Sequence, residues 1–365
     1  MTFSSYLDDS KVMASVATPA ARTEAGRPLR ALVRGTGSIG ARHLRVLHSL
    51  GVEQLFAWPV RPASSAPAAR AADYPASVQL VQGYPDEPLD LVIIATDTNR
   101  HVADALEALE HSPTSILLEK PVAPSAEDAR ILLDHPRANT ITVSAPLRFH
   151  QGLALTADVL PRLGRVTSAQ VVSQSWLPSW RPGRDFRSSY SARKDDGGVL
   201  RDLVHDIDYP AMLLGAPASL KATLGHGILG IEAEEAADVL WGDAPCVHLR
   251  LDYVTPVKTR SIRIATEQGA IGWDAVRNEV TLDWPASGAE PGSAGSVRAA
   301  FPADADVDVV LARQSLAVLE RAGTVPSRAM DVFSPAGLAE GLLAVAICDA
   351  ARLASATGGT EKVLW

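Results

Sequence analysis

The stretch LRALVRGTGSIGARHLRVLHSLG, residues 29–51, constrains the fold more than any other. It opens with an apolar run, Leu29 to Val33, that predicts a buried strand. Three glycines spaced Gly35-x-Gly37-x-x-Gly40 follow at once. Leu44, Leu47 and Leu50 then recur at helical spacing over Ala41–Leu50, and Gly51 reads as the C-cap. Alone, three glycines are a weak signal in a chain with 26 of them. Between a strand and a helix they fit the turn that cradles a dinucleotide pyrophosphate. Gly35 permits the tight bend, Gly37 leaves no Cβ in the path of phosphate, and Gly40 lets the helix close on the strand. The amides around Ser38 and Ile39, with the helix dipole, then face negative charge.

The alternation continues. Gln54–Trp58, Leu89–Ala95, Thr114–Pro121 and Ile141–Ser144 read as strands. His101–Leu109 reads as an amphipathic helix, and Ser125–His135 as a helix opened by a capping box of Ser125 and Asp128. Strands alternating with helices imply a parallel, doubly wound sheet with right-handed crossovers, here over residues 28–146. Pro59–Pro75 reads as a loop. Beyond residue 147 the texture changes. VHLRLDY and RSIRIAT alternate as strands of an antiparallel sheet with one wet face do. Helices are expected at Gln151–Leu163, Gly197–Leu214, Val307–Arg321 and Pro335–Ala354, and a loop at Pro285–Gly295. The expected fold class is α/β. A loose tail spans 1–27, a Rossmann domain 28–146, and an α+β domain with a mostly antiparallel open sheet 147–365.

At roughly 100–200 residues per domain, 365 residues suit two domains. With 47% hydrophobic and 21% charged residues, the composition is that of a globular protein, not a disordered one. A net charge of −8 argues against nucleic acid, whose phosphates call for a basic patch. No apolar run reaches the roughly 18 residues that span a bilayer. The N-terminus lacks the order of a secretory signal, so no membrane contact and a cytoplasmic location are expected. Cys246 and Cys348 belong to no CxxC or Cys/His cluster. A disulfide between them stays open, and two reduced, buried thiols are the reading preferred for a cytosolic protein. The nine histidines are scattered without an HExxH, and no metal site is expected.

Four stretches carry a family resemblance. They are Gly35-Thr36-Gly37-Ser38-Ile39-Gly40, Ala95-Thr96-x-x-Asn99-x-His101, Glu119-Lys120-Pro121, and GGVLRDLVHDID from Gly197 to Asp208. In this order they resemble the Gfo/Idh/MocA oxidoreductases, named for glucose-fructose oxidoreductase and inositol dehydrogenase. The resemblance spans nearly all of residues 29–355.

The resemblance implies that Lys120 touches the substrate hydroxyl that is oxidised, where its charge stabilises a developing alkoxide. It implies that His205 is the general base, since histidine titrates near neutrality. Asp202 would bind or orient substrate from the same helix face, three residues before His205 where many members use four. Thr96, Asn99 and His101 would line the nicotinamide and its ribose, although Asn99 also suits an N-cap. Glu119 joins this cofactor set and could orient Lys120. Trp180, Arg181, Arg187 and Tyr190, in the segment Trp176–Gly198, combine aromatic faces for sugars with arginines for carboxylate or phosphate. Arg148 is a candidate for the same pocket. Oligomer contact or packing is an equal reading for any one of these.

No acid ends the second strand, where NAD-binding versions hold the ribose 2′-hydroxyl. The strand runs into Ala57-Trp58-Pro59-Val60-Arg61, and Arg61 is placed to receive a 2′-phosphate. NADP is therefore favoured over NAD. The implied activity is hydride transfer between nicotinamide and a secondary alcohol or ketone of a sugar, polyol or nucleotide-linked sugar. A non-catalytic dinucleotide-binding module and an imine or enone reductase are the alternatives. An apolar sheet face in the second domain calls for a homodimer or homotetramer.

Overall fold

The computed structural model describes residues 26–60, 74–183, 185–195, 197–242, 245–285, 295–326 and 334–365. The tail expected over 1–27 lies almost wholly outside these residues, as do most of Pro59–Pro75 and most of Pro285–Gly295. The chain forms two units. Among the described residues, one comprises those up to Phe149 together with Asp306–Leu342, and the other His150–Ala305 with Leu343–Trp365.

The first unit is built on strands β1 (Arg30–Arg34), β2 (Gln54–Trp58), β3 (Gln79–Leu80), β4 (Leu91–Ile94), β5 (Ser115–Leu118) and β6 (Ile141–Val143). They pair in the order β6-β5-β4-β1-β2-β3, all parallel. Ala336–Gly337 adds an antiparallel edge beside β6. β4, β5 and β6 are buried along their whole length, as expected of a parallel sheet covered on both faces. Helices α1 (Ser38–Ser49), α2 (His101–Glu110) and α3 (Ala126–Leu133) are the crossovers. The N-cap half of the expected capping box forms, with Ser125 Oγ accepting from the Asp128 amide at 3.1 Å, while the Asp128 carboxylate accepts from the Ser125 hydroxyl instead of its amide.

The helix Val307–Arg321, which the sequence reading assigns to the second domain, groups with this unit. Its Leu311, Leu316, Val318 and Leu319 share one core with Leu29, Leu44, Leu47, Leu55 and Leu117. Buried Gln314 fixes the helix to the end of β6. It accepts from the Ala145 amide at 2.8 Å and donates to Ser144 Oγ at 3.2 Å.

The second unit contains strands β7 (Val166–Trp176), β8 (Ser219–Gly225), β9 (Ala236–Trp241), β10 (Cys246–Asp252), β11 (Val254–Thr266), β12 (Ala270–Asp274), β13 (Glu279–Trp284) and β14 (Gly295–Ala300). The sheet order is β14-β13-β12-β11-β7-β10-β9-β8, extended by Glu361–Lys362. Only β7 and β10 pair in parallel. Helices α4 (Gln151–Val159), α5 (Val199–Asp202) and α6 (His205–Leu214) belong to this unit. A Cβ on Gly152 would lie 2.7 Å from the Trp273 ring, so glycine lets α4 reach β12.

Two expectations change here. The single helix expected over Gly197–Leu214 is broken at Leu203–Val204, so Asp202 ends α5 and His205 begins α6. Hydrogen bonding shifts to i−3 across the break, from Asp206 N–H to Leu203 O and from Ile207 N–H to Val204 O. Buried acids on the two pieces are anchored to different partners, Asp202 to Tyr253 and Asp206 to Arg260. The cysteines are free. Cys246 is exposed, whereas burial pushes the Cys348 thiol up to about 12.

Candidate active site

In the first unit, the glycine loop, Thr96 and Lys120 follow β1, β4 and β5. They therefore stand at the carboxyl ends of parallel strands, where such sheets bind ligands. The glycines divide by what demands them. Gly35 has φ +88°, and a Cβ there would meet Ala95 O at 2.6 Å. A Cβ on Gly40 would sit 1.9 Å from Gly35 O. Gly37 meets nothing within 4 Å. The protein itself needs Gly35 and Gly40 bare; only a ligand would need Gly37 bare. Helix α1 starts there with no side-chain cap and no acid in its first turn. Ser38 is exposed and Ile39 half-buried on that turn, so its amides and dipole suit an anion. These residues fit the pyrophosphate of a dinucleotide.

Glu119 is buried, and its Oε1 lies 2.8 Å from His43 Nε2 on α1. Its other oxygen accepts from the Lys120 amide at 3.3 Å. Lys120 is half-buried and precedes a cis Pro121. His101 is buried, with Nδ1 2.8 Å from Pro121 O and Nε2 3.1 Å from Thr96 O. Burial pulls its imidazole below the usual value, against the two carbonyls that favour the charged ring. Asn99 is exposed in a 3-10 turn and caps neither it nor α2. Thr96 Oγ1 is buried without a hydrogen-bond partner. Arg148, read as a substrate ligand, is only 3% exposed, and its guanidinium pairs with Glu340, which also accepts from the Gly337 amide.

In the second unit, Asp202 is buried and accepts a hydrogen bond from Tyr253, and Tyr190 lies within reach of its charge. Burial, then the Asp202 charge, pushes both phenols well above their usual range. Trp180 packs edge-on to Tyr253 with ring centroids 5.4 Å apart, and the Arg181 guanidinium lies 5.5 Å from the Tyr190 ring. The structure thus gathers Asp202, Tyr190, Trp180 and Arg181 into one cluster. Arg187 is turned to its neighbours, stacked 4.4 Å from Phe186 and 3.9 Å from the Asp185 carboxylate. His205 opens α6 and is half-buried. The Gly197-Gly198 pair before α5 is demanded by packing. A Cβ would meet Tyr190 O at 2.1 Å at the first and Glu234 Oε1 at 2.2 Å at the second.

A family model, an oxidoreductase family with an NAD-binding Rossmann fold, matches residues 29–146. Residues 29–146 are thus similar to the NAD-binding Rossmann domain of the Gfo/Idh/MocA oxidoreductases. An uncharacterized oxidoreductase of Streptococcus pneumoniae is 26% identical over 145 residues, a match that covers 38% of this chain and 38% of that protein. A levoglucosan dehydrogenase in complex with NADH and levoglucosan shares the fold at a TM-score of 0.75 and 18% identity, over 93% of this chain and all of that one. An oxidoreductase domain protein from Kribbella flavida gives 0.74 and 17%, over 93% of this chain and 100% of that one. GenD2 from gentamicin A biosynthesis, in complex with NAD, gives 0.72 and 17%, over 96% and 100%.

Within the matched segment, Arg61 lies outside the described residues. The sequence reading assigned no role to His43, although it closes the glycine stretch, nor to Tyr253 and Glu234. An imidazole on the buried face of α1 was the available signal for the first. The partners of the other two are 51 and 118 residues away, for Asp202 and Arg352.

Proposed function

We propose that the protein is an NAD(P)-dependent dehydrogenase acting on a secondary alcohol, or on the matching ketone, of a sugar, polyol or nucleotide-linked sugar. The observation that carries this reading is Lys120 at the carboxyl end of β5, beside a loop whose Gly37 is kept bare for no reason internal to the protein. Likeness to a levoglucosan dehydrogenase supports the sugar class.

The bound nicotinamide supplies or takes up the hydride. Gly35, Gly37 and Gly40 with the Ser38 and Ile39 amides hold the pyrophosphate, and Thr96, Asn99 and Glu119 serve the nicotinamide end. In oxidation, the Lys120 ammonium stabilises the alkoxide as it forms. His205 takes the hydroxyl proton while the hydride leaves carbon. Reduction reverses both transfers. Asp202, held by Tyr253, orients substrate, and Trp180 with Arg181 covers the sugar. The cofactor form rests on the end of β2. Trp58 and Pro59 offer no carboxylate for a ribose 2′-hydroxyl, and Arg61 follows, which favours NADP(H). The relatives in complexes with NADH or NAD support NAD instead. A cytoplasmic homodimer or homotetramer completes the proposal.

Separate titrations with NADPH and NADH, followed by nicotinamide fluorescence and protein melting, test it. Tighter NADPH binding supports the Arg61 reading. Equal or tighter NADH binding sinks that reading and keeps the enzyme. Binding of neither overturns the loop assignment and favours a module without this chemistry. A screen of sugars and polyols with the preferred cofactor then tests the substrate class.

A further inference from the structure

The residues on both sides of Lys120 are each held by a buried imidazole. His43 holds Glu119, and His101 holds the carbonyl of Pro121. We infer that His43 and His101 are positioning residues that fix Lys120 through its two neighbours and tie it to the two loops proposed to receive the dinucleotide. The inference rests on the proposed role of Lys120.

The sheet alone does not explain how Lys120 is placed. The β4–β5 pairing runs to Ile94 and Leu118, and the Glu119 amide on Ile94 O at 2.9 Å extends it by one rung. Lys120 comes after that rung. Its approach from one side is set by Glu119, whose carboxylate bridges the Lys120 amide and His43. A carboxylate only accepts, so His43 Nε2 carries the proton and the tautomer is fixed.

Packing does not explain His43. Its side chain is fully buried, and Nδ1 has no hydrogen-bond partner among the described residues. Leucine would fill an apolar site on α1 without leaving a polar atom stranded. What imidazole adds is the bond to Glu119, from a helix that begins at the glycine loop. His101 does the matching work on the other side. Its ring joins Pro121 O to Thr96 O, and so links the backbone after Lys120 to the loop after β4. Both ring nitrogens face backbone carbonyls, and the neutral ring donates to one of them at a time, which suits His101 to bracing that loop.

The test reads Lys120 directly, without a substrate. The full-length protein carries six lysines, so the five others serve as internal references. Trace acetylation with acetic anhydride, resolved by peptide mass spectrometry, gives the reactivity of Lys120 relative to them. The comparison is between wild type, His43→Leu and His43→Gln, whose amide nitrogen reproduces the Nε2 position. The expected result is a severalfold change in Lys120 reactivity in His43→Leu, unaltered reactivity of the other lysines, and recovery in His43→Gln. If His43→Leu does not fold, His43→Asn replaces it, since its shorter amide reproduces only the Nδ1 position. A folded His43→Leu or His43→Asn protein with wild-type Lys120 reactivity would overturn the inference, as would no recovery in His43→Gln. A wild type that binds NADH but oxidises no alcohol would count against the proposed reaction and leave the labelling result readable.

Discussion

The Tyr253 hydroxyl, buried between β10 and β11, donates to the carboxylate of Asp202 at the end of α5. Tyr190 faces the same group from the loop before α5, and the charge of that group adds to burial in pushing its phenol up. The Tyr253 bond fastens the end of α5 to the sheet. Removing one donor by Tyr253→Phe is expected to lower stability by about 1–3 kcal/mol, because the carboxylate loses a partner it cannot replace from water. Denaturant unfolding of Tyr253→Phe, Asp202→Asn and the double variant checks this. Effects that simply add would mean that the bond contributes nothing.

The glycines of the loop are expected to separate folding from binding. Gly40→Ala places a Cβ against Gly35 O and should destabilise the first unit severely. Gly37→Ala meets open space at φ −67° and should melt within a degree or two of wild type, a change of about 0.5 kcal/mol or less. Its NADH affinity should nevertheless fall tenfold or more, roughly the loss of one good phosphate contact, about 1.4 kcal/mol. Fluorescence titration beside a melting curve distinguishes the two. An unchanged affinity in Gly37→Ala would remove the pyrophosphate from this loop.

Lys120→Met and His205→Gln are expected to retain NADH binding and lose turnover. Loss of a donor to a developing oxyanion lowers kcat by about 10²–10³. Loss of a general base lowers it by about 10²–10⁴. With the first sugar or polyol found to react, steady-state kinetics should show the fall in kcat, with cofactor affinity near wild type. A variant that keeps wild-type kcat removes its residue from the mechanism.

Stability should decline at both ends of the pH range. Burial holds His101 neutral, with a folded value below the 6.5 of the free group. Below about pH 6.5 the unfolded chain therefore binds the extra proton, and the stability due to this group is present above that pH and lost as pH falls through it. The Tyr190 and Tyr253 phenols are shifted the other way. Their contribution is intact below the unfolded value of 10.0 and is lost as pH rises beyond it. Melting temperature against pH checks both arms. His101→Asn should flatten the acid arm, and Tyr253→Phe the alkaline one.

The strand Gln54–Trp58 and the helix Val307–Arg321 were legible to the residue. Each is a continuous local pattern with turn signals at its ends. The Gly-Gly before α5 and the glycine loop were legible for the same reason. The break between Asp202 and His205 was not. It depends on anchors to Tyr253 and Arg260, which sequence spacing does not show. Arg148 looked like a ligand because it follows the last strand of the parallel sheet. Its partner, Glu340, lies 192 residues on. His43 shares its helix with the periodic leucines, but nothing local pointed to Glu119, 76 residues away.

The return of residues 306–342 to the first unit has a consequence during synthesis on the ribosome. The parallel sheet emerges early, yet Leu311, Leu316, Val318 and Leu319, which close its core, are translated only after the whole of the second unit's main block. Until then the nascent chain must carry an uncovered apolar surface next to Leu44 and Leu47. Chaperone binding to stalled nascent chains should therefore persist past the completed β6 and end once the segment through Leu342 has left the exit tunnel.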